Sequence, residues 1–368
     1  MKSKKPPAAA GKQLPSLMDD RPEPLLKRPV HVPEKARFPV IDAHNHLFGD
    51  MPAEEMIAVM DAAGVRTFVN LTGNCCLPFD EKGYTIRRRD LGIYMERYVE
   101  RWPGRFAAFT MADFAMWDDF TLDLDGGFAE MCIESLERDV RRGAVGLKLT
   151  KELGLRFREP GGDIIRIDDP RLYPVWKRAG ELAIPVLIHS TDPVGFFLPI
   201  DGRNEHYPTL VQYPGWSFHG SRWSKQELLD QRARMMADHP GTTFIGAHVA
   251  NNPEDLEWVS NLLDRLPNLS IDFSARMDEL GRQPYTAHDF LVRYQDRVLF
   301  GADMPISTGV YRSYFRFLET RDEYFDYPGY VGELDYRTRW KIYGLGLPDE
   351  VLEKIYSRNA LRVIPGLQ

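Results

Sequence analysis

The segment Asp42-Ala43-His44-Asn45-His46 sets two imidazoles two residues apart, and His189, His248, Asp303 and Lys148 each sit in or close another short apolar run. In an extended strand residues i and i+2 point the same way, so His44 and His46 can share a face. With a third imidazole from His189 and the carboxylate of Asp303 they make a compact N₃O set. That set suits Zn²⁺, or another divalent ion such as Mn²⁺, Fe²⁺ or Co²⁺. Such a site keeps a position for water and lowers its pKa to about 7, which yields hydroxide at neutral pH. His248 is then placed as a proton shuttle or as an electrophilic clamp on a substrate oxygen. Taken singly, each residue has an ordinary explanation: a packed or hydrogen-bonded histidine, a helix-capping aspartate, a lysine paired with a carboxylate. The pointer to a metal is their joint placement at the ends of different strands.

Bringing residues more than 250 positions apart into one pocket requires a particular scaffold. Eight short runs, rich in β-branched or aromatic residues and apolar on both faces, recur from residue 38 onward: FPVIDAH (38–44), TFVNLTG (67–73), FAAFTMA (106–112), AVGLKLT (144–150), IPVLIHS (184–190), TFIGAHV (243–249), LSIDFSA (269–275) and VLFGADM (298–304). They read as strands buried in a parallel sheet. Amphipathic stretches alternate with them. These include AEEMIAVMDAAG after the first run, SKQELLDQRARMMADHP before the sixth, with Ser224 and Glu227 spaced as a capping box, and PDEVLEKIYSRNALRVI at the end. Eight strands alternating with helices predict an α/β fold, a (β/α)₈ TIM barrel rather than an open doubly wound sheet, whose C-terminal strand ends converge on one mouth. Residues 191–223 lack a helical period and predict a long loop over that mouth, a lid or specificity element. Residues 1–37, rich in proline and basic residues, predict an extended N-terminal arm on the catalytic domain 38–368, and the arm suggests a homodimer.

Composition narrows the function. The 368 residues are 43% hydrophobic and 12% aromatic, enough for a large core. With 47 basic against 54 acidic residues the net charge is −7, which offers no attraction to nucleic acid or to an anionic membrane. No run of 18 apolar residues predicts a transmembrane helix. Three cysteines, Cys75, Cys76 and Cys132, make no disulfide framework and suit reduced thiols in a cytoplasmic protein.

The phrases FPVIDAHNHL, GAVGLKL, LAIPVLIHS, IGAHV, RVLFGADMP and KIYSRNALRVI, spread over residues 38–365, resemble the amidohydrolase superfamily and within it the amidohydrolase-2 branch of metal-dependent TIM-barrel hydrolases and decarboxylases. The resemblance implies His44, His46, His189 and Asp303 as metal ligands and His248 as the catalytic histidine. Asp303 is also implied as a proton acceptor in hydrolytic members. In other branches a carbamylated strand-4 lysine bridges two metals, an arrangement open to Lys148 with His189 and His248; the resemblance favours one ion, zinc before manganese or iron.

Lys148, Arg203, His219, Arg222, Trp223 and Arg276 are candidate contacts for a small-molecule substrate carrying a carboxylate or a polar ring. The long loop also contributes Asp192, Asn204, Glu205, His206 and Trp216, and Thr72, Asn74 and Cys75 follow strand 2. The leading expectation is hydrolysis of an amide, ester or lactone, with a lean drawn from the forty residues ahead of the first strand. The alternative is non-oxidative decarboxylation of an aromatic or enoic acid, which uses the same ligands.

Overall fold

The structure is a computed structural model that describes residues 25–80, 83–116, 119–327 and 340–368. All eight apolar runs contain a strand. They are β1 (Val40–Asn45), β2 (Val65–Asn70), β3 (Phe106–Ala108), β4 (Leu147–Leu149), β5 (Val186–Ile188), β6 (Phe244–Gly246), β7 (Leu269–Asp272) and β8 (Val298–Leu299). Pairing is parallel within β1-β2-β3 and within β4 to β8. A bridge from Thr110 to Leu147 joins the two sets. The ring closes where the Ala43 amide donates to the Phe300 carbonyl at 2.9 Å and the Asp303 amide to the His44 carbonyl at 2.8 Å. The fold is the expected TIM barrel.

Alternation along the strands builds two cores. Ile41, Ala43, Val69, Leu187, Ile245 and Leu299 fill the barrel interior, joined by Ala360, Val363 and Ile364 from the chain's end. Val40, Phe68, Phe106, Val186, Phe244 and Val298 face outward onto the helices. Helix Ala53–Ala63 stops at Gly64, whose φ of 82° is a left-handed turn that costs glycine nothing. Helix Lys225–Ala237 begins with the anticipated Ser224–Glu227 capping box. The final helical stretch runs from Asp349 to Val363, with a π turn at Lys354–Arg358.

One expectation changes. Residues 191–223 are not a bare loop: they hold the helix Tyr207–Gln212 and two 3₁₀ turns. Pro208 and Pro214 break the pattern into pieces too short to show a period. Residues 1–24 of the N-terminal arm lie outside the described residues. From residue 31 the arm lies along its own barrel: the His31 amide donates to Asp322 at 2.7 Å, Arg312 to the Pro33 carbonyl at 3.1 Å and the Ala36 amide to the Ala63 carbonyl at 3.0 Å. Among the described residues no helix is long and apolar enough to cross a membrane.

Candidate active site

Strict alternation would turn His44 away from the barrel interior, because Ile41 and Ala43 already point there. A bulge resolves this. Asp42 pairs with Phe68 and Asn45 with Asn70, so β1 spends three residues where β2 spends two. Bulges re-aim side chains in this way beside active sites. Asp42 pins the bulge by accepting from Asn45 Nδ2 at 2.7 Å, the Ala302 amide at 3.0 Å and Tyr311 at 2.8 Å. Burial pushes its carboxyl up to about 7 against those three bonds.

His44 and His46 then converge on Asp303. Asp303 Oδ2 is 3.8 Å from His44 Nε2 and 3.6 Å from His248 Nε2, and Oδ1 is 3.5 Å from His46 Nε2. The opposite ring nitrogens are all engaged. His44 Nδ1 lies 2.8 Å from Asp272 Oδ2, His46 Nδ1 3.1 Å from Thr72 Oγ1, and His248 Nδ1 2.8 Å from the Ser274 carbonyl. Those acceptors assign the proton to Nδ1 in each ring and leave the Nε2 lone pairs facing the carboxylate. Burial lowers the pKa of all three rings well below the usual range. Three imidazole lone pairs and a carboxylate without a proton among them form a donor set for a divalent cation; His248 Nε2 is buried without a hydrogen-bond partner. His44, His46 and Asp303 lie close enough to share one ion.

Three lysine and arginine side chains surround this cluster. Lys148 Nζ is 3.4 Å from His44 Nε2, and burial pushes its ammonium down to about 8 against the pull of Asp303 and Asp272. Lys151 pairs with Asp192, and Arg276 Nη2 lies 3.6 Å from the same carboxylate. His189 is placed differently from expectation. Its ring packs against His248 at 4.4 Å, but Nε2 faces Asp192 Oδ1 at 3.3 Å rather than Asp303. Asp192, held by Lys151, is the nearer anion, while burial brings His189 down to about 4.

Above the cluster opens a cavity of about 320 Å³. His46, Lys148, His189, His248, Arg276 and Asp303 reach it, as do Asp192 and Trp216 of the long loop. Arg203, His219, Arg222 and Trp223 do not. Arg203 and His219 are exposed, and Arg222 stacks 4.5 Å over Trp223 at a separate surface depression. The loop folds so that its apolar residues Phe196, Trp216 and Phe218 face the cavity while Arg203 and Arg222 stay in water. Asn204 instead ties the loop to itself through the Gly195 and Pro199 carbonyls. Burial pushes the Cys75 thiol up, which removes it as a nucleophile.

Sequence reasoning missed Lys151, Asp272 and Ser274. Asp272 accepts from His44, from the amides of His248 and Ser274 and from Ser274 Oγ, so it holds the His44 imidazole and the His248 backbone at once. The available signal was its place: a carboxylate at the end of an apolar strand, like Asp303. Gly301 supplies the room for His44, since a Cβ there would lie 2.5 Å from His44 Cβ and 3.1 Å from its backbone nitrogen. Gly301→Ala is expected to cost about 1–3 kcal/mol in urea unfolding and to lower metal content, because the histidine backbone must shift. An unchanged midpoint with full metal would contradict that packing.

Comparison with known proteins places this site in a family. Solved structures of similar fold include a 2,6-dihydroxybenzoate decarboxylase from Rhizobium, 18% identical over 89% of this chain and 98% of that one, with a TM-score of 0.52. A dihydroxybenzoic acid decarboxylase from a Polaromonas species, with bound manganese and the inhibitor 2-nitroresorcinol, is 16% identical over 89% and 96%, with a TM-score of 0.50. The 4-oxalomesaconate hydratase of Rhodopseudomonas palustris has the same four values. At such identities the likeness is one of fold. No curated protein matches the chain. The amidohydrolase family model matches residues 41–366, from the strand that carries the paired histidines to the chain's end, and the chain belongs to the amidohydrolase family, in its amidohydrolase-2 branch.

Proposed function

We propose that the protein is a metal-dependent, non-oxidative decarboxylase of an aromatic or enoic carboxylic acid. The observation that carries this reading is the cavity, which joins aromatic walls (Phe48, Phe196, Trp216, Phe218) to the cations Lys148, Lys151 and Arg276 directly over the imidazole–carboxylate cluster. A flat ring fits between such walls, and a carboxylate fits the cations. Two decarboxylases of dihydroxybenzoate share the fold. The lean to hydrolysis rested on the residues ahead of β1, and those described pack along the outside of the barrel, with none lining the cavity.

His44, His46 and Asp303 would hold one divalent ion, and His189 would join as the further nitrogen ligand by turning its Nε2 from Asp192, which it faces at 3.3 Å. Zinc suits a nitrogen-rich set; manganese, present in the Polaromonas enzyme, is the first alternative. The donors within reach of one another all share His44, and Asp272 is saturated by its own hydrogen bonds, which favours one ion over a lysine-bridged pair. When bound, the ion polarises substrate oxygens as a Lewis acid. Arg276 and Lys151 draw the carboxylate down, and the aromatic walls hold the ring and exclude water. Asp303 or His248, both facing the cavity, first takes up a proton from solvent, and that proton then adds to the carbon that bears the carboxylate. The C–C bond then breaks, its electrons return to the ring, and carbon dioxide leaves. The donor regains its proton from solvent. Hydrolysis of an amide, ester or lactone is the second reading, favoured by the Asp303 carboxyl, which burial brings to about 6 and which can take a proton from an attacking water.

The test is turnover of enzyme reconstituted with zinc or manganese on hydroxybenzoic acids, esters and lactones, with carbon dioxide measured directly. Release from an aromatic acid supports decarboxylation; ester or lactone turnover without it overturns it. In the same assay His189→Ala is expected to lose metal, and His248→Ala to keep metal and lose turnover. The reverse pattern would exchange the two roles.

A further inference from the structure

His248, Val249, Ala250 and Asn251 have φ values of 56°, 57°, 49° and 56°, one turn of left-handed helix without a glycine. L-residues resist that conformation because Cβ crowds the following carbonyl oxygen. Something outside the turn must therefore hold it. Its own bonds are few: the Asn251 amide reaches the Ala247 carbonyl at 2.8 Å and the Asn252 amide the Val249 carbonyl at 3.1 Å. At one end Asp272 takes the His248 amide at 3.1 Å.

The other end is held by Arg232, on the outer helix Lys225–Ala237 and with none of its surface exposed. Its Nη2 donates to the Ala250 carbonyl at 2.6 Å. Nη1 donates to Asn251 Oδ1 at 2.7 Å and to Ser190 Oγ at 3.0 Å. Asn251 Oδ1 also accepts from the Ser190 amide at 3.0 Å. One guanidinium thus ties the turn that starts at His248 to the residue after His189. Among the described residues no carboxylate pairs with it, and burial pushes it down to about 9. A buried charge without a counter-ion is costly, and an apolar side chain would fill the space more cheaply. The planar fork of donors, which no apolar residue and no lysine supplies, is what the position uses.

We propose that Arg232 is a positioning residue of the active site, fixing the loops after β5 and β6 so that His189 and His248 face the cavity together. It touches neither imidazole and acts through Ser190, Ala250 and Asn251.

The experiment measures Zn²⁺ affinity by chelator competition well below Tm, with hydrogen exchange of the peptides covering 189–192 and 247–252. The full chain is used as Arg232→Met, Arg232→Lys and Leu136→Ala, the last a core truncation on the outer helix Phe128–Arg141, which adjoins neither peptide in sequence. Arg232→Met is expected to weaken zinc binding by about 10–100-fold, as groups behind metal ligands do, and to deprotect both peptides. Arg232→Lys keeps the charge but not the fork, and is expected to lose about tenfold by the same reasoning. Leu136→Ala is expected to lower Tm and leave affinity and both peptides unchanged. Wild-type affinity and protection in Arg232→Lys, or in Arg232→Met with a lowered Tm, would make Arg232 a core residue only and overturn the proposal. If Arg232→Met does not fold, Arg232→Lys decides alone.

Discussion

Asp303→Ala is expected to bind zinc or manganese more than about 100-fold more weakly than the parent protein, and to turn over substrate about 10³-fold more slowly or worse. Groups that merely stand behind metal ligands are worth about 10–100-fold in affinity, so a carboxylate facing the ion is worth more. Losing one stabilising group at the reacting centre costs about 10²–10³ in rate. Asp303 also faces three imidazole nitrogens at 3.5–3.8 Å. Asp303 sits at φ 49°, and its amide still donates to the His44 carbonyl in the variant, so the fold is expected to survive. Elemental mass spectrometry on protein purified without added metal, beside chelator competition, gives the result. Full metal content with full turnover would remove Asp303 from the site.

Asp272→Asn is expected to fold with a modest loss of stability and to bind metal at least about 10–100-fold more weakly, although the change alters one atom and touches no ligand atom of the ion. Three donors, the His248 amide, the Ser274 amide and Ser274 Oγ, converge on Oδ1 and select the amide oxygen of asparagine for that side. The NH₂ group must then face His44 Nδ1, where the carboxylate now accepts at 2.8 Å. A donor facing Nδ1 forces the proton to Nε2, the nitrogen aimed at Asp303. The ring keeps its place and loses its lone pair. Nitrogen-15 NMR of labelled histidine reads the tautomer directly. An asparagine variant with wild-type affinity, or with His44 still protonated at Nδ1, would show that Asp272 does not set the ring.

The difference between Asp303 and Asp272 shows what a sequence can carry. His44, His46, His189, His248 and Asp303 stand out because each interrupts or ends an apolar run, and parallel strands ending at one mouth bring them together whatever the loops do. Asp272 has the same signature but points at histidines rather than at the cavity, a distinction of side-chain direction. His248 shows the same limit. Nothing in Ala247-His248-Val249-Ala250-Asn251 announces a left-handed turn, because the usual marker, glycine, stands only at Gly246, where a Cβ would come within 3.2 Å of Ala250. The bulge in β1 is equally silent, since it depends on Asp42 finding Ala302 and Tyr311 some 260 residues away. In the long loop, Asp192 and Trp216 reach the cavity while Arg203 and Arg222 do not, because three short helical pieces set the directions and none is long enough to leave a period.

Barrel closure bears on when the protein can acquire its ion. The first strand supplies two histidines and the last supplies Asp303, and the two strands meet only through bonds such as Asp303 to His44 and Ala302 to Asp42, spanning almost the whole chain. Contacts of such sequence separation form late, after the entropy of closing a very long loop has been overcome. While the polypeptide is still being made, its N-terminal half displays paired imidazoles but no strand-8 carboxylate to complete the set. The set is complete only once strand 8 has paired with β1. An ion held by all three side chains would therefore be taken up after the barrel closes, and cells grown in different metal supplies should yield the same fold carrying different ions.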